Sequence, residues 1–261
     1  PEPASPDQGC SIIADLSTAD GRRSALDELA VVLGGAALDG AVFAAGLGPT
    51  RGAEDTIAAV NVLGVTELLT RIRPALAAAG NAKVVVFGSN STTSTPMVSA
   101  RTVRRLICGD LDAAVKQIRR RGAASAAIAY AASKTAVTWW SRQQAVRPEW
   151  AGAGIRINVI APGPVMTPLL RSQLDGAQGR NVRSFPLPIR EYGTPEQISA
   201  WVQMMLSPAA DFLCGSVITV DGGTEALLRG TDWPRPLPLR KMPMLLWRMR
   251  QAPKQGMVAT Y

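Results

Sequence analysis

Short apolar runs alternate along this chain with stretches of helical periodicity, and that rhythm leaves few folds open. Strand-like runs lie in CSIIADLS (10–17), DGAVFAAG (39–46), AKVVVFGS (82–89), IRINVIAPG (155–163) and SVITVDGG (216–223). Helical spacing fills the gaps: GRRSALDELAVVL (21–33) with Leu26, Leu29 and Val32 or Leu33 on one face, IAAVNVLGVTELLTRIRPAL (57–76), IAYAASKTAVTWW (128–140) and PEQISAWVQMML (195–206). The unbroken Val85, Val86 and Phe87 indicate a strand buried on both faces. Strands separated by helices pair in parallel, so the pattern predicts an α/β, Rossmann-like doubly wound sheet covered by helices. In such sheets ligands sit beyond the carboxyl ends of the strands. Asp15, Gly46, Ser89, the PGPVMTP segment and the DGG turn all follow predicted strands, which points to one shared site.

Composition narrows the chemistry. The chain has no histidine, and Cys10, Cys108 and Cys214 lie far apart. Histidine-ligated zinc, Ser-His-Asp or Cys-His triads and a disulfide scaffold are therefore set aside. No apolar run approaches the roughly 20 residues that span a bilayer, and no signal-peptide pattern opens the chain, so a cytoplasmic protein without an integral membrane segment is expected. The net charge of +8 suggests nucleic acid until its distribution is read. From Arg229 onward seven Lys or Arg face one acid, Asp232, so +6 of that charge belongs to the tail. A near-neutral body of this kind does not read as a nucleic-acid-binding domain.

Two stretches break the rhythm. Residues 90–125 carry STTSTPMVS and then RTVRRLICGDLDAAVKQIRRRG, which reads as an exposed charged helix on the rim. The final segment, PRPLPLRKMPMLLWRMRQAPKQG, is basic and proline-punctuated, and a surface-lying or mobile tail is expected over 234–261, after a domain over 1–233. Within the tail MPMLLWRMR reads as a basic amphipathic anchor only weakly, being short and broken by Pro243.

Tyr130 and Lys134 are four positions apart in a helix, with only Ala131, Ala132 and Ser133 between them. That spacing puts phenol and ammonium on one face. Taken with Ser89 closing a strand, Asn61 in the preceding helix and P-G-x-x-x-T-P at 162–168, the pair resembles the short-chain dehydrogenase/reductase family over residues 10 to about 232. AGLGP (45–49), VNVLGVTELL (60–69), AYAASK (129–134), RINVIAPGPVMTPLL (156–170) and DGGTEALLR (221–229) look most like the bacterial 3α-hydroxysteroid dehydrogenase/carbonyl reductase subgroup.

The resemblance implies an NAD(P)-dependent oxidoreductase interconverting a secondary alcohol and a ketone on steroid-like or other bulky hydrophobic substrates, with NAD favoured over NADP. It also implies a homo-oligomer. Tyr130 would be the acid/base, with Lys134 favouring its phenolate and gripping the ribose hydroxyls. Ser89 would hold the substrate oxygen, and Asn61 would position a water. Asp15 and Leu16 would meet the adenine and Gly46 the adenosine ribose. Pro162, Gly163, Val165 and Thr167 would shape the nicotinamide pocket. Each alone has another reading: Asp15 as a helix cap, Ser89, Pro162 and Gly163 as turns, Asn61 as a polar interruption. Asp221, Gly222 and Gly223 read as a structural turn.

The family's opening strand and T-G-x-x-x-G-x-G turn do not occur in this sequence. Expected consequences are a sheet lacking its first strand-helix-strand unit, an apolar edge at Val42 and Phe43, and weak NAD(P)H binding by this chain in isolation. A non-catalytic remnant or interaction protein of the same fold is the alternative reading.

Overall fold

The computed structural model describes residues 9–176, 179, 183, 185–234 and 236–258. The parts of the domain and tail expected at 1–8 and 259–261 lie outside these residues. Four strands, β1 (Gly40–Phe43), β2 (Lys83–Phe87), β3 (Arg156–Pro162) and β4 (Val217–Val220), form one parallel sheet in the order β1-β2-β3-β4. Val84 stands opposite Ile157, and Ile160 opposite Ile218.

Helices make every crossover. α1 (Ala19–Leu33), capped by Thr18, precedes β1 and packs on α3. α2 (Glu54–Ala58) runs through a π-helical turn, Ala59–Leu63, into α3 (Gly64–Ala78). After β2 come α4 (Ser91–Ser94), α5 (Ala100–Ile107), α6 (Leu111–Arg119) and the long α7 (Ser125–Ala145). Between β3 and β4 lie α8 (Pro168–Asp175) and α9 (Pro195–Leu206), the latter opened by a Thr194–Gln197 capping box with proline in its first turn. α10 (Thr224–Arg229) and α11 (Met242–Gln251) follow β4.

Alternate residues of β2 feed opposite cores, as the pleat requires. Val84 and Val86 enter a cluster with Ile157, Val159 and the Ala132, Ala136 and Val137 face of α7. On the other side Val85 meets Ile160 of β3 and Ile198 and Met205 of α9. Burying β2 on both faces is what its unbroken valine run requires, and helices on both faces make the sheet doubly wound.

Three expectations change. Residues 10–17 form no strand: the segment is extended with Ile13 93% exposed, because among the described residues no neighbouring strand offers it a ladder. The stretch 101–122 is two helices, turned at Gly109 (φ +79°), rather than one exposed helix. Its charges face outward while Val103, Leu106, Val115 and Ile118 are buried in the cluster that α7 lines. The tail is ordered into α11 between two short 3₁₀ turns. The apolar edge is as expected: β1 is the end strand, and Val42 is 43% exposed.

Asn158, buried in β3, fastens the approach to β4. Its Nδ2 donates to Leu213 O at 2.7 Å, and its Oδ1 accepts from Ser216 N at 3.0 Å. Asn158→Ala strips both partners at once and is expected to lower unfolding stability by about 2 kcal/mol or more. A urea titration monitored by tryptophan fluorescence checks this, with unchanged stability counting against the role given to the side chain.

Candidate active site

Helix α7 lies against the sheet on small residues, with Ala131, Ala132, Ser133 and Ala136 all buried. The sheet answers with Gly88, where a Cβ would sit 2.8 Å from Val159 Cγ1 and 3.2 Å from Thr138 Oγ1. This close seam buries Lys134, whose Nζ donates to Phe87 O at 2.8 Å. Desolvation pushes its ammonium down to about 8 from an ordinary 10.5.

One helical turn earlier, the half-buried Tyr130 shares a hydrogen bond with Ser89. Burial pushes its phenol above the ordinary value, and the Ser89 bond opposes that in part. Burial is the largest cause of both shifts and favours the neutral form of each group.

Ser89 is held where β2 ends, its Oγ accepting from Ser91 N at 3.1 Å. Its neighbour Asn90 ties three strand ends together. Asn90 N donates to Pro162 O at 2.9 Å, and its Nδ2 to Asp221 Oδ2 at 3.2 Å. Asp221 also accepts from Gly223 N and Glu225 N, so the DGG segment is the structural turn expected of it.

Asn61 sits buried inside the π-helical turn, a local widening that recurs at functional sites. Its Oδ1 accepts from Leu47 N at 2.7 Å, and its Nδ2 donates to Leu47 O and Ser133 Oγ, each at 3.0 Å. A Cβ on Gly46 would lie 3.2 Å from both Asn61 Oδ1 and Lys134 Nζ, so any side chain here would crowd both groups where the loop after β1 passes them.

Ser89, Tyr130, Lys134, Asn61 and Gly46 thus form one cluster at the carboxyl ends of β1 and β2. Pro162 and Gly163 adjoin it at the end of β3, where a Cβ on Gly163 would come within 2.6 Å of Asp221 Cβ. Val165 bridges to Gly193, and Thr167 caps α8 by accepting from Leu170 N at 3.3 Å. Asp15 is exposed, and hydrogen bonding from the Ser17 side chain and then from Ser17 N lowers its carboxyl below the ordinary value. The cap of α1 is Thr18 rather than Asp15. Leu16 packs near Gly64, just beyond the π-helical turn.

Three supporting residues escape the sequence reading. Ser133 links Asn61 to Tyr130 O, Asn90 joins the strand ends, and the buried Arg22 grips Leu16 O and Glu67. Ser133, between the paired Tyr and Lys, and Asn90, directly after Ser89, carried a positional signal; Arg22, in an exposed-looking helix, carried none.

The Lys134 shift has a stability signature. Between about 8 and 10.5 the unfolded chain holds this proton and the folded chain does not, so stability gains with rising pH there and loses as pH falls through about 8. The difference between the wild type and Lys134→Met is expected to change by up to about 1.4 kcal/mol per pH unit across that window. Urea midpoints collected from pH 7 to 10.5 test it; a pH-independent difference contradicts the burial argument.

The family model described as Enoyl-(Acyl carrier protein) reductase matches residues 113–225. A 3-alpha-hydroxysteroid dehydrogenase/carbonyl reductase from Comamonas testosteroni is 35% identical over 224 residues, covering 85% of this chain and 86% of that protein. The crystal structure of the 3-alpha-hydroxysteroid dehydrogenase from Pseudomonas sp. B-0831 complexed with NADH superposes with a TM-score of 0.78 at 36% identity, covering 86% of this chain and 87% of that one. The Pseudomonas aeruginosa RhlG/NADP active-site complex gives a TM-score of 0.61 at 27% identity, over 82% and 75% of the two chains. With the parallel sheet and the Ser89, Tyr130 and Lys134 cluster in view, the chain belongs to the short-chain dehydrogenase/reductase family of oxidoreductases.

Proposed function

We propose that the chain interconverts a secondary alcohol and a ketone with Ser89, Tyr130 and Lys134 as its catalytic residues, Asn61 as a positioning residue, and NAD(H) as cofactor. The observation that carries this is the pairing of Tyr130 with Ser89 at the end of β2, with Lys134 buried one helical turn away. Such a pairing serves a carbonyl oxygen better than it serves packing. The NADH complex of the Pseudomonas sp. B-0831 relative supports NAD(H) in this proposal, and the RhlG complex holds NADP.

The residues present fit the nicotinamide-ribose end of a dinucleotide. Gly46 leaves room beside Asn61 and Lys134 that a side chain would fill, and Lys134 spends one donor on Phe87 O. Lys134 would grip ribose hydroxyls, Val165 and Thr167 the carboxamide, Pro162 and Gly163 the ring's surroundings, and Asp15 and Leu16 the adenine. No described residue supplies the backbone donors of a Gly-rich turn, so the proposal is confined to these parts of the cofactor. When bound, nicotinamide supplies or accepts the hydride.

In the reducing direction Tyr130 gives its hydroxyl proton to the carbonyl oxygen as the carbon gains hydride; oxidation runs the same transfer backward. Ser89 holds that oxygen through its hydroxyl. A raised phenol is suited to stay protonated until then, and a cationic Lys134 offsets the charge left on Tyr130. Bulky apolar ketones, steroid-like among them, are the proposed substrates. The name of the Comamonas testosteroni relative supports that class, as do exposed Met97, Ile189, Leu227 and Leu228 on segments around this end of the sheet. The proposed domain runs to residue 233, with 234–261 as an appended tail. The convergence of Ser89, Tyr130 and the buried Lys134, with Asn61 tied to the Tyr130 helix through Ser133, favours this reading over a non-catalytic remnant.

In the full-length context Tyr130→Phe is expected to lower turnover by about 100-fold or more with little change in NADH affinity, because only the proton transfer is lost. Lys134→Ala is expected to damage both. Steady-state reduction of a bulky apolar ketone, paired with NADH fluorescence titrations, separates the two; near-normal turnover by Tyr130→Phe overturns the acid/base assignment.

A further inference from the structure

The C-terminal helix α11 presents an apolar stripe that the rest of the fold leaves largely uncovered, Leu245 alone of its residues being half-buried. Met242, Leu245, Leu246 and Met249 recur at i, i+3, i+4 and i+7, which places them on one helical face. Leu246 is 55% and Met249 63% exposed. Arg248 and Arg250 fall on the two flanks of that stripe, where long basic side chains can bury their stems and keep their heads in water. The helix packs mainly against the short turns Leu239–Lys241 and Pro253–Gln255 rather than against the sheet or its covering helices.

The proline that argues against a helix from sequence does not break it. Pro243 lies in the first turn of α11, where its missing N–H would have no helical partner anyway. Charge then selects the partner. From Trp233 to the end the chain contains no acidic residue, while Arg240, Lys241, Arg248, Arg250 and Lys254 lie on or beside α11. Trp233, ahead of the helix, is exposed and suited to the headgroup level of a bilayer. A free phosphate would satisfy the cations and leave the apolar stripe in water. No helix among the described residues is long and apolar enough to cross a membrane, so the segment would lie on a surface rather than span it.

We propose that α11 and its flanking basic turns bind the surface of an anionic phospholipid bilayer, with Met242, Leu245, Leu246 and Met249 inserted and Arg248 and Arg250 at the headgroups. Binding then depends jointly on apolar insertion and on charge, and weakens with salt. The active-site cluster takes no part in it.

The test is flotation of the whole chain with vesicles of phosphatidylcholine alone and of phosphatidylcholine with about one quarter phosphatidylglycerol. Partitioning is expected to be at least about tenfold stronger on the anionic vesicles, and to fall at high salt. The double change Leu246→Glu with Met249→Glu is expected to abolish it, and Arg248→Glu with Arg250→Glu to remove the anionic preference. Val31→Glu, at an exposed apolar position on α1, serves as the control and is expected to change nothing. Circular dichroism confirms that each variant folds. Failure to partition, equal partitioning on both vesicles, or equal loss with Val31→Glu overturns the proposal. Light scattering adds a further arm: a dimer broken by Leu246→Glu with Met249→Glu, in a chain that ignores vesicles, assigns the stripe to self-association instead.

Discussion

The hydrogen bond from Lys134 Nζ to Phe87 O sets how closely α7 lies on the sheet, and the candidate site depends on that spacing. Its origin is in strand length. β1 ends at Phe43, opposite Val86, so Phe87 lies one position past the last β1–β2 pair. Gly88 turns its own N–H the other way, to Ile160 O. The Phe87 carbonyl is left without a strand donor, and an unpaired buried carbonyl is costly. Lys134 answers it from the helix. A longer β1 would occupy that carbonyl and leave the buried ammonium without its acceptor.

A second constraint works from the opposite side of Gly46. The π-helical turn at Ala59–Leu63 directs the Asn61 amide both to the Leu47 backbone and to Ser133 Oγ. One side chain thus fixes a loop that has no strand of its own and joins it to the helix carrying Tyr130. Helix, loop and strand end become a single unit, held by bonds that are each short and each buried or half-buried. Its geometry is set by backbone carbonyls more than by opposing charges.

Much of this was legible in the sequence because it follows from period and spacing. The valine run of β2, the Pro195–Leu206 helix and the Tyr130–Lys134 interval each depend on local pattern alone, and each matches. What failed depended on neighbours. Residues 10–17 have strand composition but no adjacent strand among the described residues, and a ladder takes two partners. The basic stretch 101–122 looked solvated because its charges match its apolar residues in number; the buried apolar side chains show only when two short helices are phased separately about Gly109. Pro243 was weighed as a breaker because a helix start is invisible without a cap. Spacing gives the proximity of Tyr130 and Lys134, whereas burial, the first cause of both their shifts, is a property of the whole fold.

Those two shifts combine into a statement about charge. Free phenol and ammonium ordinarily titrate close together, at 10.0 and 10.5. Here burial raises the first and lowers the second, so Lys134 gives up its proton before Tyr130 does. The resting site therefore resists the very ion pair, ammonium beside phenolate, that proton transfer to a substrate oxygen would create. An anionic ligand beside Lys134 reverses this, because a nearby negative charge favours the ammonium and pulls its pKa back up. Readiness for proton transfer therefore depends on the charge of whatever fills the space beside Lys134, because burial by itself works against the ammonium.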